Sequence, residues 1–309
     1  MREPEERPER VAVTGSSGLI GSALVAALRA DGVDVVRLVR RPPRTADEER
    51  WDPSGQEPEV NRVALDGCTA VVHLAGAGVA DHRWTDRYKA ELRDSRVVGT
   101  ASLAHAIASL DRPPRVLVAG SAIGYYGYTG DRPVDEHEPA GTGFLADLSV
   151  AWEAAAEPAE RAGVRVAFAR TGLVVARSGG AWGRLFPIFR AGIGGRLGSG
   201  RQYWSAISLH DHVAALRFLL DDLPGLSGPV NLTGPEPLTN REVTRVMGRV
   251  LHRPTLCAVP APALRLVLGE FAQDVLGSQR VVPRRLLDAG FAFAHPTVEE
   301  QVRAAVAGS

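Results

Sequence analysis

The sequence predicts an α/β protein: an open, doubly wound parallel sheet with a small, mostly helical lobe at its C-terminal end. Three observations predict it. A short apolar run, Val11 to Val13, is followed by a glycine-rich turn and then by a helical pattern from Leu19 to Leu28. The same alternation of short apolar run and helical stretch recurs as far as Val230–Leu232. Its apolar runs are hydrophobic throughout, as in a sheet covered on both faces. From Asn240 to Val306 the pattern becomes helical segments broken by prolines.

The first turn, Thr14-Gly15-Ser16-Ser17-Gly18-Leu19-Ile20-Gly21, has three glycines at a spacing of three between strand and helix. Gly15 permits the tight turn and Gly18 lets backbone approach a pyrophosphate. Gly21 lets the helix pack on the strand, so that free N–H groups at the helix start face an anion. This is the Rossmann-type dinucleotide cradle, with Gly-Ser-Ser-Gly as an ordinary turn the bland alternative. The second strand, Val33 to Val39, ends in Arg40-Arg41, where a carboxylate would bind an adenosine ribose. Two guanidinium groups favour a 2′-phosphate, hence NADP(H) over NAD(H); the alternative is a pair of solvated surface arginines.

Pro42 to Val63 reads as a short third strand near Trp51 and an irregular surface loop rather than a full-length helix. Val71 to Leu74 is the next strand, closed by Leu74-Ala75-Gly76, small enough for a ribose to approach the backbone. His73 reads as a core histidine. A long helix follows, from about Thr85 to Ser109, capped by Thr85 or Asp86. It carries Lys89, the single lysine of the chain, two turns before Arg96 on one face. Arginine has otherwise replaced lysine, so this position either needs a compact ammonium or survives by chance.

Arg115 to Ala119 is the fifth strand and runs into Gly120-Ser121-Ala122-Ile123-Gly124-Tyr125-Tyr126-Gly127. A serine and two tyrosines beyond a parallel strand's carboxyl end lie where open α/β sheets place chemistry. Phe144 to Arg161 reads as one helix and Val164 to Ala169 as the sixth strand. From Ser178 to Gly200 the chain is glycine-dense, too irregular for a sheet interior and suited to a wall over the cofactor. His210-Asp211-His212 opens a helix with Asp211 as cap or first-turn carboxylate; adjacent positions on a helix diverge, which argues against a metal there. The units expected are a disordered tail over 1–9, a nucleotide-binding domain over 10–175 with 206–235 returning to it, and a substrate-side lobe over 176–205 and 236–309.

The chain has 309 residues, with 36 Lys+Arg balanced by 36 Asp+Glu. No global positive field exists to hold nucleic acid or an anionic membrane, and no apolar run is long enough to span a bilayer. The charged, proline-bearing start is not a secretory signal, and two distant cysteines, Cys68 and Cys257, suit a reduced cytoplasm. The partner implied is a small molecule.

With these residues assembled, the chain resembles the extended short-chain dehydrogenase/reductase superfamily. The resemblance rests on the Thr14–Gly21 turn, His73-Leu74-Ala75-Gly76, Arg170-Thr171-Gly172 and His210-Asp211 in that order. More narrowly it resembles epimerase-family proteins with a C-terminal DUF1731 domain, of the atypical 39U type. Here the motifs are Arg83-Trp84-Thr85 with Lys89 and Ser95-Arg96, the Ser121–Gly127 loop, Trp152-Glu153, Gly194–Gly200, Gly269-Glu270, and Pro283 with Gly290–Phe293. The DUF1731-like part would cover about 255–306. The superfamily's working enzymes use a tyrosine with a lysine four residues later as proton relay. Counting back from Trp152-Glu153 puts Leu145 and Ser149 there, and no Tyr-x-x-x-Lys occurs anywhere. The superfamily's helical asparagine falls at Arg96, and its substrate-facing serine at or within one residue of Ser121.

Two functions follow as expectations. One is an atypical NADP(H)-dependent oxidoreductase or epimerase-like enzyme on a small carbonyl or hydroxyl substrate. In it Tyr125 or Tyr126 donates a proton, Lys89 and Arg96 supply positive charge, and Ser121 orients a carbonyl. The other is an inactive NADP(H)-binding sensor or scaffold.

Overall fold

The structure, a computed structural model, describes residues 9–221 and 226–308, so residues 1–8 of the expected disordered tail lie outside it. Its centre is a seven-stranded parallel sheet. In chain order the first strands and helices are β1 (Arg10–Thr14), α1 (Leu19–Ala30), β2 (Asp34–Val39), β3 (Glu48–Arg50), α2 (Pro58–Leu65), β4 (Ala70–His73), α3 (Asp86–Ala108) and β5 (Val116–Ala122). There follow α4 (Phe144–Ala154), α5 (Glu157–Arg161), β6 (Arg165–Thr171), β7 (Leu173–Val175), α6 (Gly180–Arg190), β8 (Gly195–Leu197), β9 (Tyr203–Trp204), β10 (Ala206–Ser208), α7 (Leu209–Leu220) and β11 (Gly228–Leu232). The last elements are β12 (Leu238–Thr239), α8 (Asn240–Leu251), β13 (Cys257–Val259), α9 (Ala261–Leu268), α10 (Ala272–Leu276), α11 (Arg284–Asp288) and α12 (Val298–Ala307).

Sheet order is β11-β6-β5-β4-β1-β2-β3. The chain winds outward from β1 through β2 to β3, then returns to β4 on the other side, so the winding reverses between β1 and β4. A crevice opens at the carboxyl ends of strands where that happens. Alternation along β1 explains the two covered faces. Val11 and Val13 pack with Leu24, Leu28, Val72 and Leu216 under α1 and α7, whereas Ala12 joins Val36, Val71, Leu103, Ile107 and Leu117 under α2 and α3. A third apolar cluster, around Trp182, Phe186, Met247 and Val302, joins α6, α8 and α12 beyond the sheet.

Two expectations are corrected and two others take a definite form. The proline-rich stretch after β3 includes an eight-residue helix, α2, whose first turn accommodates Pro58 because the N–H that proline lacks has no helical partner there. The single helix expected over Phe144–Arg161 is two, and α4 stops at Ala154, whose carbonyl would have needed an N–H from Pro158. The glycine-dense segment stays out of the main sheet, but its short strand β8 pairs in parallel with β13 in a separate two-stranded sheet, and a Cβ at Gly195 would lie 1.2 Å from the Cys257 carbonyl oxygen. The cap of α7 is Ser208, and Asp211 takes the other role expected for it, the first-turn carboxylate. Asp211 accepts the backbone N–H groups of Ala294 and His295 at 2.8 and 2.9 Å, fastening the C-terminal segment to α7. Ligand-capable atoms of His210, Asp211 and His295 do gather within 4.8 Å, but His212 turns away to Thr171, and the carboxylate is committed to those amides.

Candidate functional site

The crevice is built from the ends of β1, β4, β5 and β6. Thr14 ties the first two together: its Oγ1 accepts N–H groups from Leu74 and Ala75 at 3.0 and 3.2 Å and lies 2.7 Å from His73 Nδ1. The other ring nitrogen, Nε2, is buried with no hydrogen-bond partner among the described residues. Burial pushes the His73 pKa down to about 4, so this imidazole is a neutral brace, as read from the sequence.

Gly15 has φ +64°, and a Cβ there would lie 2.8 Å from the Leu74 carbonyl; one at Gly21 would lie 2.2 Å from the Gly15 oxygen. Gly18 precedes α1 in extended conformation with no side-chain cap, and the first turn of α1 carries no acidic residue. Its leading N–H groups, from Leu19, Ile20 and Gly21, therefore have neither a cap nor a competing carboxylate. Ser16 is buried and Ser17 exposed along the turn. Gly179, at the start of α6, packs on the Leu19 side chain, so the glycine-dense wall reaches this turn.

At the end of β2 the two arginines are not equivalent. Arg41 makes a bidentate pair with the buried Glu48 at 2.7 Å on both oxygens, and Arg37 also reaches Glu48. Arg41 holds the Glu48 pKa down to about 2. Arg40 is exposed with no partner among the described residues. Of the two guanidinium groups expected for a 2′-phosphate, one is free.

Beyond β5 and β6 lies a buried polar network. Ser121 and Arg170 are register partners across the two strands. The Glu153 carboxylate accepts Ser121 Oγ at 2.6 Å and Arg170 Nε and Nη2 at 2.8 Å each. Arg170 Nη1 donates to the Tyr126 hydroxyl at 2.9 Å, which donates to Asn231 Oδ1 at 2.8 Å. Burial pushes the Tyr126 pKa up to about 12 despite Arg170. Tyr126 is thus corrected from proton donor to brace, because its proton is committed inside the protein. Tyr125 lies under the Arg170 guanidinium, 3.3 Å from its ring centroid, and its hydroxyl has no partner among the described residues. Glu153, Arg170 and Asn231 were not read as site residues from the sequence, although Trp152-Glu153 and Arg170-Thr171-Gly172 already stood out as motifs.

Lys89 likewise differs from the expectation of a charge free to act on substrate. Its ammonium lies 2.6 Å from Glu270 Oε1 and 5.4 Å from the Phe144 ring centroid, joining α3 to the Gly269-Glu270 turn. Beside it is a recess lined by Trp84, Gly124, Tyr128, Phe144, Leu145, Glu270 and Asp274, among others. Arg96, 8 % exposed, stacks on Trp152 at 5.0 Å and lies against Gly76.

In that recess burial pushes the Asp274 pKa up to about 6, with Glu270 adding repulsion and the Tyr128 hydroxyl partly opposing. The folded state binds this proton more tightly than the unfolded chain, so stability falls as pH rises from about 4 through 6. Asp274→Asn is expected to leave stability unchanged at pH 4 and to add about 1–2 kcal/mol at pH 7. Urea unfolding at both pH values checks this; an equal change at both would show that the carboxyl is not strained.

The sequence profile of the NAD dependent epimerase/dehydratase family matches residues 11–232, and that of DUF1731, a domain of unknown function, matches 259–305. An epimerase family protein of Mycobacterium tuberculosis is 50% identical over 291 residues, covering 94% of this chain and 95% of its own. The chloroplastic SDR39U1 homolog of Arabidopsis thaliana, also called an epimerase family protein, is 36% identical over 309 residues, covering 97% and 87%. The crystal structure of human epimerase family protein SDR39U1 (isoform 2) with NADPH superposes with a TM-score of 0.88 at 30% identity, covering 97% of this chain and 100% of that one. Among the described residues no helix is long and apolar enough to cross a membrane.

Proposed function

Since the chain belongs to the NAD dependent epimerase/dehydratase family, in its SDR39U1-type branch with a C-terminal DUF1731 domain, we propose that it is an atypical NADP(H)-dependent oxidoreductase or epimerase-like enzyme acting on a small carbonyl or hydroxyl compound. The observation that carries this reading is the uncapped start of α1 behind a turn where Gly15 and Gly21 admit no side chain, a cradle shaped for a pyrophosphate. The relative's bound NADPH supports the phosphorylated cofactor, as does the free guanidinium of Arg40 at the end of β2.

When bound, the nicotinamide supplies hydride. This chain's residues have the other tasks. Thr14 and the Leu74-Ala75-Gly76 segment hold the crevice open between β1 and β4. Ser121, held by Glu153, presents its oxygen at the end of β5, and Tyr125 is the hydroxyl left to exchange a proton. Lys89 fixes the recess through Glu270. A second reading, an NADP(H)-binding sensor without turnover, is favoured by one observation: Leu145 and Ser149 stand where the superfamily has its tyrosine and lysine, and Ser149 Oγ is bonded to the Leu145 carbonyl.

The test is calorimetry with NADPH and NADH, followed by NADPH consumption against a panel of aldehydes, ketones and 2-oxo acids. Tight NADPH binding with turnover above the protein-free rate is expected; binding without turnover selects the sensor. Arg40→Ala should weaken NADPH by about 5- to 20-fold and leave NADH within twofold. Equal losses for both would remove the 2′-phosphate role from Arg40.

A further inference from the structure

Two arginines are buried at the carboxyl edge of the sheet, and they differ in one respect. Arg170 has Glu153 as a bidentate counter-ion. Arg96 has none among the described residues: its hydrogen bond runs from Nη1 to the Leu92 carbonyl of its own helix at 3.2 Å, and it stacks on the Trp152 ring. Burial lowers its pKa to about 10, with Tyr88 partly opposing, which still leaves it charged at neutral pH. A buried cation without an anion is costly, and a methionine would fill the same space in α3 without that cost.

The surroundings show where an anion would fit. No nitrogen of Arg96 is among the described side-chain atoms that are fully buried and lack a partner, so its unused donors are not sealed off from solvent. The guanidinium lies against Gly76, where a Cβ would come within 3.3 Å of Cζ and 3.4 Å of Nη1. Gly76 directly follows Leu74 and Ala75, the residues that abut Gly15. A ligand running along the glycine turn and across the end of β4 therefore passes this guanidinium. The adjoining segment is held in place: Ala77 N donates to Ser95 Oγ at 3.1 Å, and the Tyr88 hydroxyl donates to the Gly78 carbonyl.

We propose that Arg96 is an oxyanion receptor, which takes a phosphate or carboxylate group of a ligand lying over Gly76 and so completes its own missing ion pair. The planar fork suits two oxygens of such a group. The oxyanion belongs either to the dinucleotide or to an acidic substrate beside it; in the first case the inference rests on the cofactor reading above, and in the second it does not.

The experiment compares the wild type with Arg96→Met, which keeps the stack on Trp152, and Arg96→Lys, which keeps the charge. Unliganded melting temperatures are recorded, and NADPH and oxalate are titrated separately, oxalate both with and without NADP⁺. Arg96→Met is expected to melt at the wild-type temperature or above it. It should lose about 10- to 100-fold in affinity for one of the two probes, with part of the loss restored by lysine. A loss for NADPH assigns the dinucleotide as the source, and a loss for oxalate assigns the substrate. The proposal is overturned if both probes bind the methionine variant within tenfold of wild type. It is also overturned if that variant melts well below the wild type, as removal of a merely structural arginine would cause. A wild type that ignores NADPH would refute the cofactor reading alone, because the oxalate arm still judges Arg96.

Discussion

Gly15→Ala is expected to abolish NADPH binding, with an affinity loss above 100-fold, and to lower stability by about 2–3 kcal/mol. Two effects combine at this residue. Its φ of +64° puts an L side chain in the left-handed region, and the added Cβ would lie 2.8–2.9 Å from the backbone of Leu74 and Ala75. Those atoms cannot give way alone, since both N–H groups are bonded to Thr14 Oγ1 and Thr14 to the buried His73. Relief must come from movement of the turn, which carries the leading N–H groups of α1 away from the anion they face. Calorimetry with NADPH and urea unfolding measure the two losses. Wild-type affinity in a fully folded Gly15→Ala protein would show that the cofactor does not dock here. Gly32→Ala is the control: it also has positive φ, but nothing lies within 4 Å of its Cβ position, so it should cost stability without touching NADPH.

What could be read from the sequence was what is local along the chain. The Thr14–Gly21 turn, the strand before it and the helix after it lie within two dozen residues, and glycine's steric role is independent of the rest of the fold. The parallel sheet followed from repetition of that unit. The ionic network was not legible, because the Ser121–Tyr126 loop, Glu153, Arg170 and Asn231 come from four separate stretches and meet only when β5, β6 and β11 pair and α4 packs beside them. Chemical type misled for the same reason. Lys89 and Tyr126 look like an ammonium and a phenol available for chemistry, yet Glu270 and the Arg170–Asn231 pair, far along the chain, had already engaged them. At Arg40-Arg41 neighbouring residues of one kind separate in role, since only the second can reach the buried Glu48 from its side of β2.

Removing the carboxylate at the centre of that network should have the largest effect on the fold. Glu153→Ala leaves the Arg170 guanidinium, 2 % exposed, without its counter-ion and takes the acceptor from Ser121. Burial alone would lower the Arg170 pKa, but the Glu153 pair outweighs it and raises it. Without that pair only arginine's intrinsic basicity keeps the guanidinium ionised, so the charge stays in the core rather than being shed cheaply. A loss of about 3–5 kcal/mol is expected in urea unfolding. The double variant Glu153→Ala/Arg170→Met should regain much of it, because the isolated charge is gone, although Tyr126 then lacks one donor. Ser121→Ala alone removes one hydrogen bond and should cost only about 1 kcal/mol. A single Glu153→Ala change below 1 kcal/mol, or a double variant no more stable than the single, would mean that solvent reaches Arg170. The loop bearing Tyr125 would then be set by packing around Tyr126 and Val281 rather than by charge.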